Sequence, residues 1–376
     1  MSVERTYLDW NATAPLRPEA RAAFVAALDI VGNPSSPHAE GRRARAIVED
    51  AREQVAALVG AKPAEVVFTS GGTEANNAVL SAGWDAIFMA GIEHDSVLAP
   101  TRASGARIID LEVDAGGVVR ADAASVLAGA ERVLLSVQVA NNETGVLQPV
   151  AEIAAGAKSR GARVHTDAVQ AAGRVAIDMR ALGVDYLTLS AHKLGGPKGI
   201  GALVIDERES LPPLLTGGGQ ERRRRAGTEN VAAIAGFGAA ADVAKRDLAQ
   251  MQRVGALRDT LEARVKAVSP SVVVVGGATQ RLPNTTSIAL PGTSAETLVI
   301  ALDLAGIAVS AGAACSSGKV GASHVLRAMG LEPGLARAAI RVSLGWSTSE
   351  DDIEAFIAAW SKVALSRTAR AAAEAA

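Results

Sequence analysis

The feature that most limits what this chain can fold into is an alternation. Short apolar runs, EVVFTS (65–70), AIFMA (86–90), RVLLSVQVA (132–140), RVHTDA (163–168), YLTLSA (186–191) and GALVID (201–206), are separated by alanine-rich stretches of helical character, among them 41–59, 149–160 and 229–249. Strands alternating with helices in this way predict an α/β fold, a mainly parallel central sheet covered by helices. After about residue 255 the pattern changes to SVVVVGG, TTSIALP, SAETLVIALDLAG, AAIRVSLG and SEDDIEAFIAAW. This reads as a smaller α+β C-terminal domain, completed by the N-terminal segment. The expected division is a large domain over 15–255 and a small one from 1–14 plus 256–376.

In an open parallel sheet, ligands bind beyond the carboxyl ends of the strands, so the residues just past each strand end matter most. After the first run comes GGTEANN (71–77), where two glycines allow close backbone approach and Thr73-Glu74 opens a helix; free N–H groups at such a start suit a phosphate. It is not a Walker loop, because no G-K-[ST] is present there. The next strand ends carry His94, then Asp167 and Gln170, then Ser190, His192 and Lys193. Lys193 is followed by LGGPKG, which breaks its helix early and leaves the amine able to reach a cavity instead of bulk water. Taken singly, each of these is an ordinary strand-end residue. Taken together, a phosphate cradle, a carboxylate, an imidazole and a lysine on successive strands fit one cofactor. Pyridoxal phosphate needs a lysine amine, a carboxylate opposite its ring nitrogen and a phosphate site.

The chain holds one cysteine, in VSAGAACSSGKVGASHVL (309–326). Buried cysteines pack as small hydrophobes, whereas this setting of glycine, serine and alanine suits an exposed thiol on a movable loop. One cysteine excludes an internal disulfide and fits a reducing compartment. The net charge of -2 gives no broad basic field for nucleic acid or anionic membrane, and no run of about 18 apolar residues suggests a membrane span. The expectation is a cytoplasmic protein that binds neither nucleic acid directly nor membrane.

The motifs YLDWNATAPLRP, NPSSPHAEGR, FTSGGTEANN, EHDSV, NNETGVLQP, HTDAVQAAG, LSAHKLGGPKGIGAL, GGGQERRRRAGTENV, GIAVSAGAACSS, SHVLRAMG and IRVSLG occur in order from residue 7 to about 345. Together they closely resemble the NifS/IscS-like, group I cysteine desulfurases of the class V aminotransferases. The resemblance implies a pyridoxal-phosphate-dependent transferase of fold type I and a homodimer with its sites at the subunit boundary. It implies removal of sulfur from L-cysteine, giving L-alanine and a Cys315 persulfide for an iron–sulfur scaffold or another sulfur-acceptor protein.

By the same resemblance, Lys193 is the Schiff-base lysine and proton shuttle, Asp167 the partner of the ring nitrogen, and His94 stacks on the ring and assists proton transfer. Gly72, Thr73, Ser190 and His192 hold the phosphate, joined by Thr228 of the other subunit. Asn142 and Gln170 contact the ring and its hydroxyl. Arg341, with Asn11 and Asn142 nearby, binds the substrate carboxylate. Cys315 is also a candidate transient ligand to an iron–sulfur cluster shared with a scaffold.

Asp9-Trp10-Asn11 stands where the family commonly has two asparagines, and Ala311 and Ala313 where serines are usual. No reacting group is lost. The long segment from Cys315 to SHVL places the chain with the mobile-loop subgroup. Two other readings are weaker. AGFGAAA (235–241) nominally matches a dinucleotide-binding fingerprint, but it lies behind a Thr-Glu-Asn helix start and no strand, so its glycines are expected inside a helix for close packing. A selenocysteine lyase differs from a cysteine desulfurase by one chalcogen and is the alternative within the enzyme class.

Overall fold

The computed structural model describes residues 5–120, 132–312 and 323–374. The chain enters through a two-residue strand, β1 (Thr6–Tyr7). Seven further strands build the central sheet: β2 (Val66–Thr69), β3 (Ala86–Ala90), β4 (Arg107–Leu111), β5 (Val133–Ser136), β6 (Arg163–Asp167), β7 (Tyr186–Ser190) and β8 (Gly201–Ile205). Their order is β2-β8-β7-β6-β5-β3-β4. All pairings are parallel except those of β8, which runs against both β2 and β7. The mainly parallel sheet expected from the sequence is present.

Both faces of this sheet are buried, as the unbroken apolar runs require. Val66, Phe68, Phe88, Leu135 and Leu187 point to one core, where helices Ala39–Leu58 and Val231–Arg246 pack. Val67, Ile87, Leu134, Tyr186 and Leu203, the alternate residues, point to the other with Val79, Leu80 and Trp84. The AGFGAAA glycines lie inside helix Val231–Arg246, not at a strand-to-helix turn. A Cβ on Gly238 would sit 2.6 Å from Ala51 Cα, and one on Gly236 2.6 Å from Pro197. They serve close packing.

A second core forms around an antiparallel sheet of β9 (Val273–Val275), β10 (Thr285–Ala289), β12 (Ser310–Ala311) and β13 (Ala339–Ser343), ordered β12-β13-β10-β9. β11 (Ile307–Ala308) pairs in parallel with β1, and Leu8 is fully buried in this second core beside Leu298, Ile340 and Trp360. The N-terminal segment therefore crosses from this second core to the edge of the first. That crossing puts Asn11 and Ala12 beside the carboxyl ends of β6 and β7.

Candidate active site

Helix Gly72–Leu80 starts directly after β2 and carries no side-chain cap, so its first backbone N–H groups are left for a ligand. A Cβ on Gly72 would lie 3.0 Å from Val169 and 3.5 Å from Ser190, so only glycine lets this helix start approach the ends of β6 and β7 so closely. The result is a cavity of about 250 Å³ lined by Gly72, Thr73, His94, Asn142, Asp167, Gln170, Ser190, His192 and Lys193, and also by Asn76, Ser96 and Gln138. Nine of the residues singled out from sequence thus share one wall.

Asp167 ends β6. Its Oδ1 accepts the Val169 N–H at 2.9 Å and its Oδ2 accepts from Asn76 Nδ2 at 2.8 Å. The same Asn76 amide donates to Ser96 Oγ at 2.8 Å, and that hydroxyl lies 2.8 Å from His94 Nδ1. His94 caps helix Asp95–Ala103, its Nδ1 accepting the Ser96 N–H at 3.1 Å. An Nδ1 that accepts carries no proton, so the neutral ring bears its hydrogen on Nε2. Burial lowers the His94 pKa; Asp167 opposes that shift and the Lys193 cation adds to it.

β7 ends at Ser190 and turns through a short 3₁₀ segment, Ala191–Lys193. Lys193 Nζ donates to the carbonyls of Asn11 at 2.6 Å and Ala12 at 2.9 Å, so the amine stays at the cavity wall. His192 Nδ1 lies 3.2 Å from Thr13 Oγ1. Burial, with the Lys193 cation next, pushes its pKa down to about 4, so this imidazole is neutral at physiological pH.

Arg341, on β13, is buried. Its Nη1 donates to the Asn142 carbonyl and its Nη2 to Asp9 Oδ1, both at 2.9 Å. Asn11 Nδ2 reaches the same Asn142 carbonyl at 3.4 Å. The three residues expected to hold a carboxylate are therefore one hydrogen-bonded group. Arg341 Nε, Asn142 Oδ1 and Asn76 Oδ1 are buried and have no partner among the described residues. Orphaned polar atoms of this kind call for a polar ligand. Together with the Gly72 approach and the Asp167–Lys193 pairing of chemistries, they fit a phosphorylated, nitrogen-containing aromatic aldehyde such as pyridoxal phosphate.

Thr228 is not at this wall. It borders a separate cavity of about 200 Å³ with Glu221, Arg225 and Glu229. The contact expected of it is with another subunit's phosphate. Cys315 lies outside the described residues. The residues on either side of that gap, Gly312 and Ser323, both meet Glu143. Ser323 Oγ donates to Glu143 Oε2 at 2.6 Å, and a Cβ on Gly312 would stand 2.8 Å from the same oxygen. His324 does not reach the cavity wall; its Nε2 lies 2.9 Å from the Glu93 carbonyl. Among the described residues, no group of three His, Cys, Asp or Glu side chains could hold a metal.

Sequence reasoning missed Asn76, Ser96, Glu143 and Arg174. Asn76 falls one helical turn after Gly72, a spacing that could have flagged it; the others become visible only through contacts made in three dimensions.

The aminotransferase class-V family model matches residues 6–356. A cysteine desulfurase 2 from Trichormus variabilis is 42% identical over 358 residues, spanning 93% of this chain and 90% of that protein. The cysteine desulfurase IscS of Dictyoglomus turgidum is 40% identical, spanning 92% of this chain and 91% of its own length. The crystal structure of a NifS-like protein from Rickettsia africae superposes with a TM-score of 0.90 at 37% identity, covering 96% of this chain and 99% of that one. Motif order, sheet topology and similarity over nearly the whole length agree, and this chain belongs to the class-V aminotransferase family, within its NifS/IscS-like cysteine desulfurases.

Proposed function

We infer that the protein is a pyridoxal-phosphate-dependent cysteine desulfurase, which takes sulfur from L-cysteine, releases L-alanine and passes the sulfur on. The observation that carries this reading is the convergence, at the ends of β6 and β7, of Asp167, Lys193 and the uncapped start of helix Gly72–Leu80 on one cavity. In this reading the N–H groups of Gly72 and Thr73, with Ser190 and His192, hold the phosphate. Asp167, fixed by Asn76 and Val169, would partner the ring nitrogen and favour its protonated form. Gln170 and Asn142 would contact the ring and its hydroxyl, and His94 would stack on the ring. When bound, pyridoxal phosphate supplies an electron sink that makes the substrate Cα–H acidic.

Arg341 binds the substrate carboxylate and, with Asn11, orients Cα–H towards Lys193. The neutral Lys193 amine removes that proton and returns one to the carbon framework, while His94, protonated on Nε2 in its neutral form, can donate there and accept again. Cys315, as thiolate, then attacks the substrate sulfur. The Sγ–S bond forms as the substrate Cβ–S bond breaks, leaving a persulfide on Cys315; the three-carbon fragment takes a proton and leaves as L-alanine. Delivery of that sulfur to an iron–sulfur scaffold or other acceptor, a homodimer in which Thr228 serves the partner's phosphate, the division into domains near residue 255, and a cytoplasmic location belong to the same proposal. Consistent with the last, no helix among the described residues is long and apolar enough to cross a membrane.

Two variants test the chemistry. Lys193→Ala should lose the visible absorption of the holoenzyme and all turnover. Cys315→Ser should keep the bound, coloured cofactor and its spectral response to L-cysteine, yet release neither alanine nor sulfide above background, because a hydroxyl cannot carry sulfane sulfur. Rapid alanine release by Cys315→Ser would overturn the persulfide step.

A further inference from the structure

Behind the cavity wall lies the positive charge of Arg174. Arg174 is only 7% exposed, and no carboxylate among the described residues pairs with it. Its donors meet oxygens of neutral groups instead: Nη1 bonds the Gln170 carbonyl at 2.7 Å and also Gln170 Oε1, while Nη2 faces the carbonyls of Trp10 and Lys193, each at 3.4 Å. Burial, with Arg341 adding to it, pushes the Arg174 pKa down to about 9, so the group is still charged at neutral pH. A buried cation without an anion is costly unless something else supplies the anion.

The hydrogen bonds indicate where that anion goes. With Oε1 committed to Arg174, the Gln170 amide must turn its NH₂ the other way, and Nε2 does donate to the Asn11 carbonyl at 3.1 Å. Lys193 Nζ donates to that same carbonyl. Arg174, Gln170, Asn11 and Lys193 thus form one connected group, cationic at its buried end.

We propose that Arg174 is a positioning residue for the cofactor's ring oxygen: it locks Gln170 with its NH₂ towards the cavity, and its unmatched charge favours an ionised ring oxygen and an unprotonated nitrogen at Lys193. The proposal rests on the pyridoxal-phosphate reading above. It concerns a residue that does not line the cavity and takes no part in the proton transfers.

The test is an absorbance titration of the holoenzyme, paired with equilibrium dialysis of pyridoxal phosphate. A nearby cation disfavours protonation of the Lys193 nitrogen, so Arg174→Met should raise the pH at which the visible band changes by about one unit. Arg174→Lys, which keeps charge but not the two-pronged grip on Gln170, should titrate like wild type while holding the cofactor several-fold more weakly. In a Gln170→Met background, Arg174→Lys should no longer weaken cofactor binding, whereas Arg174→Met should still shift the titration. An Arg174→Met protein that titrates and binds as wild type overturns the proposal, as does an Arg174→Lys protein whose titration moves as far as that of Arg174→Met. If Arg174→Met does not fold, Arg174→Lys decides alone: weaker binding at an unchanged titration supports the proposal, and unchanged binding defeats it. Failure of the wild type to bind pyridoxal phosphate on Lys193 would instead defeat the cofactor reading.

Discussion

At the scale of single residues, Glu143, the neighbour of Asn142, meets both Gly312 and Ser323. It is buried next to Asn142, accepts from Ser323 and crowds Gly312. Burial raises its pKa to about 7, more than the Ser323 hydrogen bond and the Arg341 charge lower it. Because the folded pKa exceeds the ordinary value of 4.5, folding takes up a proton between those values, and the group costs stability as pH rises through that interval. Glu143→Gln keeps an acceptor for Ser323 and removes the titration. Denaturant unfolding should find it more stable than wild type above neutrality, by up to about 3 kcal/mol at 1.36 kcal/mol per pKa unit, with the difference shrinking as pH falls and nearly gone below the unfolded-state value of 4.5. Parallel stability curves for the two proteins would show that Glu143 is not a buried acid of this kind. None of this was legible in NNETG, where Glu143 reads as a turn residue. Strand-end residues such as Asp167 and Lys193 could be found because sheet topology sends them to one edge. Asn76 and Arg174 owe their importance to partners that the linear chain does not reveal.

At the scale of elements, most of the central runs declared themselves because both sheet faces are buried, which makes strands such as β2, β3, β5 and β8 largely apolar along their length. β4 was missed for the opposite reason: it lies at the sheet edge, and its residues Arg107, Ile108 and Asp110 are exposed. The reversal of β8 was also not foreseen. β7 and β8 are joined through 191–200, a 3₁₀ turn broken by Gly195-Gly196-Pro197, with no crossover helix to bring the chain back in the parallel sense. That same short turn is what leaves Lys193 at the cavity. Where helix packing sets the geometry, the close-packing role of the AGFGAAA glycines can be tested directly. In Gly238→Ala the new methyl meets Ala51 Cα and Cβ at 2.6 Å, and the backbone of helix Ala39–Leu58 has to move. Overpacking of this type should cost about 1–3 kcal/mol in denaturant unfolding. Wild-type stability in this variant would mean that the two helices have room to spare.

At the scale of the whole molecule, the segment carrying Thr228 is held in an unusual way. Glu221, Arg222 and Arg223 have φ of 44°, 58° and 67°, three successive non-glycine residues in the left-handed region. Glu221 is pinned there by Arg52 at 2.8 and 2.9 Å and by the Phe68 N–H at 3.0 Å, and Arg225 grips Glu74 on helix Gly72–Leu80. A costly turn kept by ion pairs to Arg52 and Glu74 leads to Thr228, which does not line the chain's own cavity; the proposed service of Thr228 to a partner's phosphate is compatible with that placement. Hybrid dimers separate the two possibilities. Thr228→Ala alone should weaken cofactor binding at both sites by the loss of one charge-assisted hydrogen bond, about 1.5–3 kcal/mol. In a hybrid of Lys193→Ala with Thr228→Ala subunits, a threonine that acts across the boundary leaves one site complete, with Lys193 from one subunit and Thr228 from the other, and the second site doubly impaired. Half of the sites should then bind pyridoxal phosphate with wild-type affinity. If Thr228 acts within its own chain, the hybrid contains no complete site, and every site in it binds less tightly than wild type.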